Sequence, residues 1–132
     1  MKKVKMGRKI LIVEDNNTLR DMLYSWLNEL YPDCKIYLSA SGEDGLVMSK
    51  IVEPDIMIVD IKLPGINGLE VTRNIKESIN AKVIILTMME GMNYQNDAYA
   101  AGAELFINKK EMHTKLPGAI QLLFQNMGEI NS

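Results

Sequence analysis

The 132-residue chain is poor in the residues that staple small folds together: it has one cysteine, one histidine, one tryptophan and four prolines. Cys34 alone offers neither an intramolecular disulfide nor metal-ligand spacing. That excludes a disulfide scaffold and a zinc finger, and it suits a reducing cytoplasm. Positive charge is not in excess either. Fifteen Lys and Arg stand against seventeen Asp and Glu, a formal net charge of −2, whereas a domain built chiefly to grip nucleic acid or an anionic membrane is basic. Long apolar runs are missing as well. The basic start is followed only by Ile10 to Val13 before Glu14 and Asp15, too little for a secretory signal, and no stretch is long enough to span a bilayer. Repeats, low-complexity tracts and Pro/Gly/Ser-rich linkers are absent.

What remains is one domain with ample material for a core, since 47% of the residues are hydrophobic. Short apolar runs alternate with amphipathic segments. Ile10 to Val13, Ile56 to Val59 and Val83 to Leu86 are continuous and rich in β-branched residues, as strands buried on both faces are. Lys35 to Ser39 and Glu104 to Ile107 read as weaker strands. Between them, Leu19, Met22, Leu23, Trp26, Leu27 and Leu30 recur at helical spacing behind capping residues Asn16 to Thr18. Ser41 and Asp44 resemble a capping box opening a helix that Pro54 stops. Leu69 to Ser78 and about Asn93 to Ala101 form further helices, and Pro117 suits the first turn of a last one bearing Ile120, Leu123, Phe124 and Met127. Strict alternation implies parallel strands, right-handed crossovers and helices on both sheet faces. The expected fold is therefore α/β, a doubly wound sheet in three α/β/α layers, and five strands allow the flavodoxin-like strand order 2-1-3-4-5. Residues 1–8 read as a basic leader, 9–127 as the domain, and 128–132 as a tail or the start of a linker.

Polar residues gather at the strand ends. The first strand ends in Glu14 and Asp15, the third in Asp60, the fourth in Thr87, and Lys109 stands just past the fifth. In an open parallel sheet these ends share one edge, beside the crevice where strand order reverses. Three crowded acids must take up protons or share a cation. Oxygen donors at a hydrated site suit Mg²⁺, with Mn²⁺ as a substitute. Mg²⁺ and Lys109 together balance three carboxylates, so a phosphoryl group becomes acceptable. Asp60 is then placed to attack phosphorus as a carboxylate nucleophile.

Ile12-Val-Glu-Asp15, Val59-Asp-Ile-Lys-Leu-Pro-Gly-Ile-Asn-Gly68, Leu86-Thr87 and Phe106-Ile-Asn-Lys109, in that order and at strand ends, make the chain resemble a receiver domain of a two-component response regulator over about Lys9 to Met127. The resemblance implies that Asp60 is the phosphoacceptor. It implies that Asp15 and Asp60 ligate Mg²⁺, with Glu14 acting through water and the Lys62 backbone carbonyl completing the set. Lys109 and Thr87 would bind the phosphoryl group, and Thr87 and Phe106 would form the switch. A sensor histidine kinase is the implied donor and the cytoplasm the implied location. Homodimers through the face of the fourth helix, fifth strand and fifth helix, or through the first and fifth helices, are arrangements this resemblance allows, as is a DNA-binding output domain beyond the chain. The domain itself is expected neither to bind nucleic acid or membranes nor to act as a turnover enzyme.

Two departures accompany the resemblance: Lys110 follows Lys109 where proline is frequent, and Met88, with Met89, follows Thr87 where a small residue is usual, so Met88 is expected to crowd the pocket mouth. His113 is expected on the surface before the last helix, and Met88, Met89 and Met92 are the methionines expected outside the core. Two other activities use similar folds. An aspartyl-nucleophile phosphohydrolase wants an acid where Lys62 stands and a cap domain that this chain lacks. A flavin or nucleotide carrier wants a Gly-, Ser- or Thr-rich first loop, and Glu14-Asp-Asn-Asn17 is acidic instead.

Overall fold

The computed structural model describes residues 7–128. Five parallel strands form one sheet: β1 (Lys9–Val13), β2 (Lys35–Ser39), β3 (Ile56–Val59), β4 (Lys82–Thr87) and β5 (Leu105–Asn108). Their order is β2-β1-β3-β4-β5, the flavodoxin-like order that five alternating strands allow. Five α-helices connect them: α1 (Asn17–Leu30), α2 (Gly42–Val52), α3 (Gly68–Ser78), α4 (Met92–Ala101) and α5 (Met112–Asn126), with a 3-10 turn over Lys109–Glu111.

The continuous apolar strands divide their side chains between two cores because alternate residues point to opposite faces. Ile10, Ile12, Ile56, Ile58, Ile84, Leu86 and Ile107 pack with Leu23, Leu27, Leu116, Ile120 and Phe124 of α1 and α5. Leu11, Val13, Met57, Val59, Val83 and Ile85 pack on the other face with Val71, Ile75 and Ala98 of α3 and α4. Local chemistry sets where the helices begin and end. Asn16 Oδ1 accepts from the Leu19 amide at 2.9 Å, and Ser41 Oγ accepts from the Asp44 amide at 3.1 Å. Pro54 bars another helical residue, so α2 closes on Glu53 in a left-handed conformation, φ 51°.

The last helix departs from the sequence expectation. Pro117 is its sixth residue rather than part of its first turn, and His113 lies inside it, exposed, with its ring centroid 5.2 Å from that of Trp26. Asn108 Oδ1 caps the 3-10 turn by accepting from the Lys110 amide at 2.9 Å, and that turn runs directly into α5. Met112 and Leu116 then anchor the first turns in the core. Their burial outweighs the one helical hydrogen bond that proline removes.

Tyr31, at the end of α1, is sealed against this helix. Its ring meets Phe124 edge-on, and its hydroxyl donates to the Pro117 carbonyl at 3.2 Å. Burial pushes its phenol up to about 12, and Cys34 beside it acts in the same direction. The folded protein therefore keeps this hydroxyl protonated at a pH where the unfolded chain ionises it. Stability from this source is intact below about pH 10 and declines between there and about 12, by about 2 kcal/mol. Urea unfolding at pH 8.5 and pH 11 should show a larger loss for the wild type than for Tyr31→Phe. Equal losses would contradict this assignment.

Candidate metal centre and acidic cleft

Order reversal between β1 and β3 opens a crevice at their carboxyl ends. A cleft of about 330 Å³ lies there, lined by Glu14, Asp15, Asn16, Asp60, Lys62, Thr87, Met88, Met89 and Lys109. The structure thus brings together every residue expected at the strand ends, Glu14, Asp15, Asp60, Thr87 and Lys109, with Lys62 beside them. Ligand atoms of Glu14, Asp15 and Asp60 lie within 4.8 Å of one another.

Lys109 organises the floor. Its Nζ stands 2.7 Å from Glu14 Oε1 and 2.8 Å from Asp60 Oδ2. Glu14 and Asp60 are 2% and 6% exposed, so this one ammonium compensates two nearly buried carboxylates. Burial pushes Glu14 above its ordinary value, despite opposing hydrogen bonds from Lys109 and from the Asn16 amide. Burial also works against the Lys109 ammonium, but its hydrogen bonds to Asp60 and Glu14 outweigh that and hold it above its usual range.

The two oxygens of each acid have different surroundings. Glu14 uses both: Oε1 takes Lys109, and Oε2 accepts from the Asn16 amide at 3.1 Å. Asp60 Oδ2 takes Lys109, while Oδ1 is buried with no hydrogen-bond partner among the described residues. A buried carboxylate oxygen left without a partner is costly unless a cation or reaction partner uses it. Asp15 is exposed at the mouth. This oxygen-only donor set suits a hard divalent cation that keeps several waters. Asp15 and Asp60 Oδ1 are open to it, whereas each Glu14 oxygen already accepts one hydrogen bond.

Thr87 is fully buried, and its Oγ1 accepts from the Met89 amide at 3.2 Å. Register places Ile85 opposite Phe106 and Thr87 opposite Asn108. Thr87 and Phe106 therefore share a sheet face. Phe106 is half-buried there against the core beneath α3 and α4, outside the cleft. Met88 is exposed as expected, but Met89 is half-buried against that same core. Its amide is fixed by Thr87, and that bond turns the loop inward after Met88.

Several supports escaped the sequence reading. Arg20 Nη1 donates to the Glu14 carbonyl at 2.8 Å and Nη2 to Asn17 Oδ1 at 2.6 Å, which fixes the first loop. Glu43 Oε2 accepts from the Ile66 amide at 2.9 Å and braces the loop after Asp60. A Cβ on Gly68 would collide with the Asp60 carbonyl, so this glycine is needed for the loop to fold back. Lys110 donates its amide to Asn108, which proline cannot do, and its Nζ pairs with Glu90 at 2.9 Å. Only Gly68 carried a visible signal, as a glycine before a helix.

Comparison with known proteins agrees with this arrangement. Residues 10–121 match the response regulator receiver domain family. The response regulator GacA of Pseudomonas syringae pv. syringae is 30% identical over 117 residues, covering 88% of this chain and 55% of that protein. The transcriptional regulatory protein CiaR of Streptococcus pneumoniae is 27% identical over 124 residues, 93% of this chain and 54% of that protein. The chain thus spans about half the length of the curated relatives it matches. Among solved structures, the signal receiver domain of a DNA-binding response regulator from Colwellia psychrerythraea superposes with TM-score 0.85 at 29% identity, over 90% of this chain and 99% of that one.

Replacing Lys109 by methionine leaves two buried carboxylates facing each other without their cation. In chelator at pH 7, Lys109→Met should lower stability by about 3 kcal/mol. The deficit should shrink toward pH 5, because Glu14, already raised by burial, takes up a proton more readily once unpaired. Urea unfolding at the two pH values checks this, and a pH-independent deficit would contradict it.

Proposed function

Because the chain belongs to the response regulator receiver domain family, we propose that it accepts a phosphoryl group from a sensor histidine kinase onto Asp60, in a Mg²⁺-dependent reaction, and relays the change to an output. The observation that carries this reading is Asp60 itself. One of its oxygens is held by Lys109 and the other is buried without a partner among the described residues, at the meeting point of three acids and a lysine.

In the transfer, an Asp60 oxygen forms a bond to phosphorus as the bond from phosphorus to the donor imidazole nitrogen breaks, and the imidazole leaves with that electron pair. Asp15, Asp60 and the Lys62 backbone carbonyl would hold the metal, with Glu14 acting through water because its own oxygens are engaged. When bound, the ion would offset the charge of the acids and of the phosphoryl oxygens. Esterification removes the Asp60 carboxylate charge that Lys109 now neutralises, so the ammonium can turn to a phosphoryl oxygen while still paired with Glu14. The Thr87 hydroxyl accepts one hydrogen bond and keeps its proton to donate. A shift of Thr87 toward the phosphoryl group frees space on the face it shares with Phe106, and the ring follows. Phe lacks a hydroxyl, so this switch works by packing alone.

The partners follow from the same reading. Met92 and Tyr99 are exposed on α4, and among its ten residues only Asp97 is charged. A charge-poor face bearing Met and Tyr suits protein contact, either with an output or with a second copy through α4, β5 and α5. Tyr24 and Leu122, exposed on α1 and α5, mark the other dimer route. Among the described residues no helix is long and apolar enough to cross a membrane, and a cytoplasmic location is part of this proposal. So is a DNA-binding output beyond the chain, because the curated relatives extend well past the part that matches and the similar receiver from Colwellia psychrerythraea comes from a DNA-binding response regulator. Lys62 stands where a phosphohydrolase would need an acid, so a signalling switch is preferred to a turnover enzyme.

Incubation with Mg²⁺ and acetyl phosphate should add one phosphoryl group by intact mass. Asp60→Asn should add none, and EDTA should abolish the gain. Thr87→Ala should still be phosphorylated but lose the change in α4 amide exchange that follows phosphorylation. Labelling of the wild type at another residue alone would overturn the assignment.

A further inference from the structure

Three of the chain's ten methionines, Met88, Met89 and Met92, fall within five residues between β4 and the first turn of α4. Their environments differ. Met92 is 73% exposed and Met88 52%, while Met89 packs half-buried against the core. Elsewhere Met57 and Met112 are buried, at 0% and 7%. Of the two exposed thioethers among the described residues, only Met88 lines the cleft that holds Asp60, Thr87 and Lys109. Cys34, the single thiol, is 5% exposed, so access favours the thioethers over it.

We propose that Met88 is an oxidation site through which a hydroperoxide slows phosphoryl transfer into the Asp60 cleft. The inference rests on the phosphoacceptor reading of Asp60. In the step, the methionine sulfur attacks the peroxide oxygen and the O–O bond breaks. One oxygen stays on sulfur as the sulfoxide, and the other leaves as water for hydrogen peroxide. Sulfur is oxidised by two electrons and the peroxide is reduced by two.

The product has a different character from the thioether. An apolar, flexible group at the cleft mouth becomes a polar one whose oxygen carries partial negative charge. Asp15 is exposed at that mouth, above the nearly buried Glu14 and Asp60, and the incoming phosphoryl group is an anion. The sulfoxide dipole therefore sets a partially negative oxygen beside the donor's path and slows transfer. Met92 lies beyond the cleft lining, so its oxidation does not bear on the same path. Reduction of the sulfoxide by a thiol-dependent reductase restores the original group, which makes the control reversible.

The test treats the intact chain with dilute hydrogen peroxide, removes the oxidant, and maps the added oxygens by peptide mass. Phosphorylation from acetyl phosphate and Mg²⁺ is then timed by intact mass, as the ratio of oxidised to untreated rate within each variant. Met88 and Met92 should gain oxygen before Met57 and Met112. The ratio should fall about fivefold for the wild type and for Met92→Leu, recover after sulfoxide reductase treatment, and stay near one for Met88→Leu. No fall in the wild type, or an equal fall in Met88→Leu, would overturn the inference and leave the phosphoacceptor reading standing. Absence of transfer to the untreated wild type would overturn both.

Discussion

One ammonium between two nearly buried carboxylates is the interaction on which the site depends. Lys109 reaches Glu14 and Asp60 at 2.7 and 2.8 Å, and these residues come from three different strand ends. Without a cation at that point, two acids this close and this dry could not both stay charged. The sheet order makes the meeting possible, because β1 and β3 are neighbours while β5 lies two strands away, and a lysine side chain is long enough to cover that distance. The same ammonium leaves Asp60 Oδ1 unsatisfied. A site balanced for −3 by one lysine is therefore short of positive charge, and it is primed for a divalent ion and then for a phosphoryl group.

Much of this was legible in the sequence because strand ends are legible. Ile10 to Val13, Ile56 to Val59 and Val83 to Leu86 are short and apolar, and their β-branched residues leave little choice of structure. The first polar residue after each one must lie at the sheet edge. That geometry located Glu14, Asp15, Asp60 and Thr87 without reference to any tertiary contact. Lys109 followed from the weaker fifth strand. The alternation of elements pointed to a parallel sheet and only allowed the strand order found.

What the sequence did not disclose depends on contacts between distant segments. Glu43 bracing the Ile66 amide and Arg20 holding the Glu14 carbonyl are charged residues on helices, indistinguishable by composition from solvated ones. Pro117 misled because proline favours a first helical turn, whereas burial of Met112 and Leu116 extended α5 past it. Met89 was read with its exposed neighbours, but packing against the core beneath α3 and α4 half-buries it. For Pro117 and Met89, burial overrode a local preference.

The central claim is that Asp15 and Asp60 serve one divalent ion in a charge balance that Lys109 begins. Calorimetric titration of Mg²⁺ into the chain at pH 7 tests it most directly. The account predicts a single saturable site that weakens about tenfold or more in Asp15→Asn and in Asp60→Asn. Binding of undiminished strength in both variants, or no saturable binding by the wild type, would contradict it.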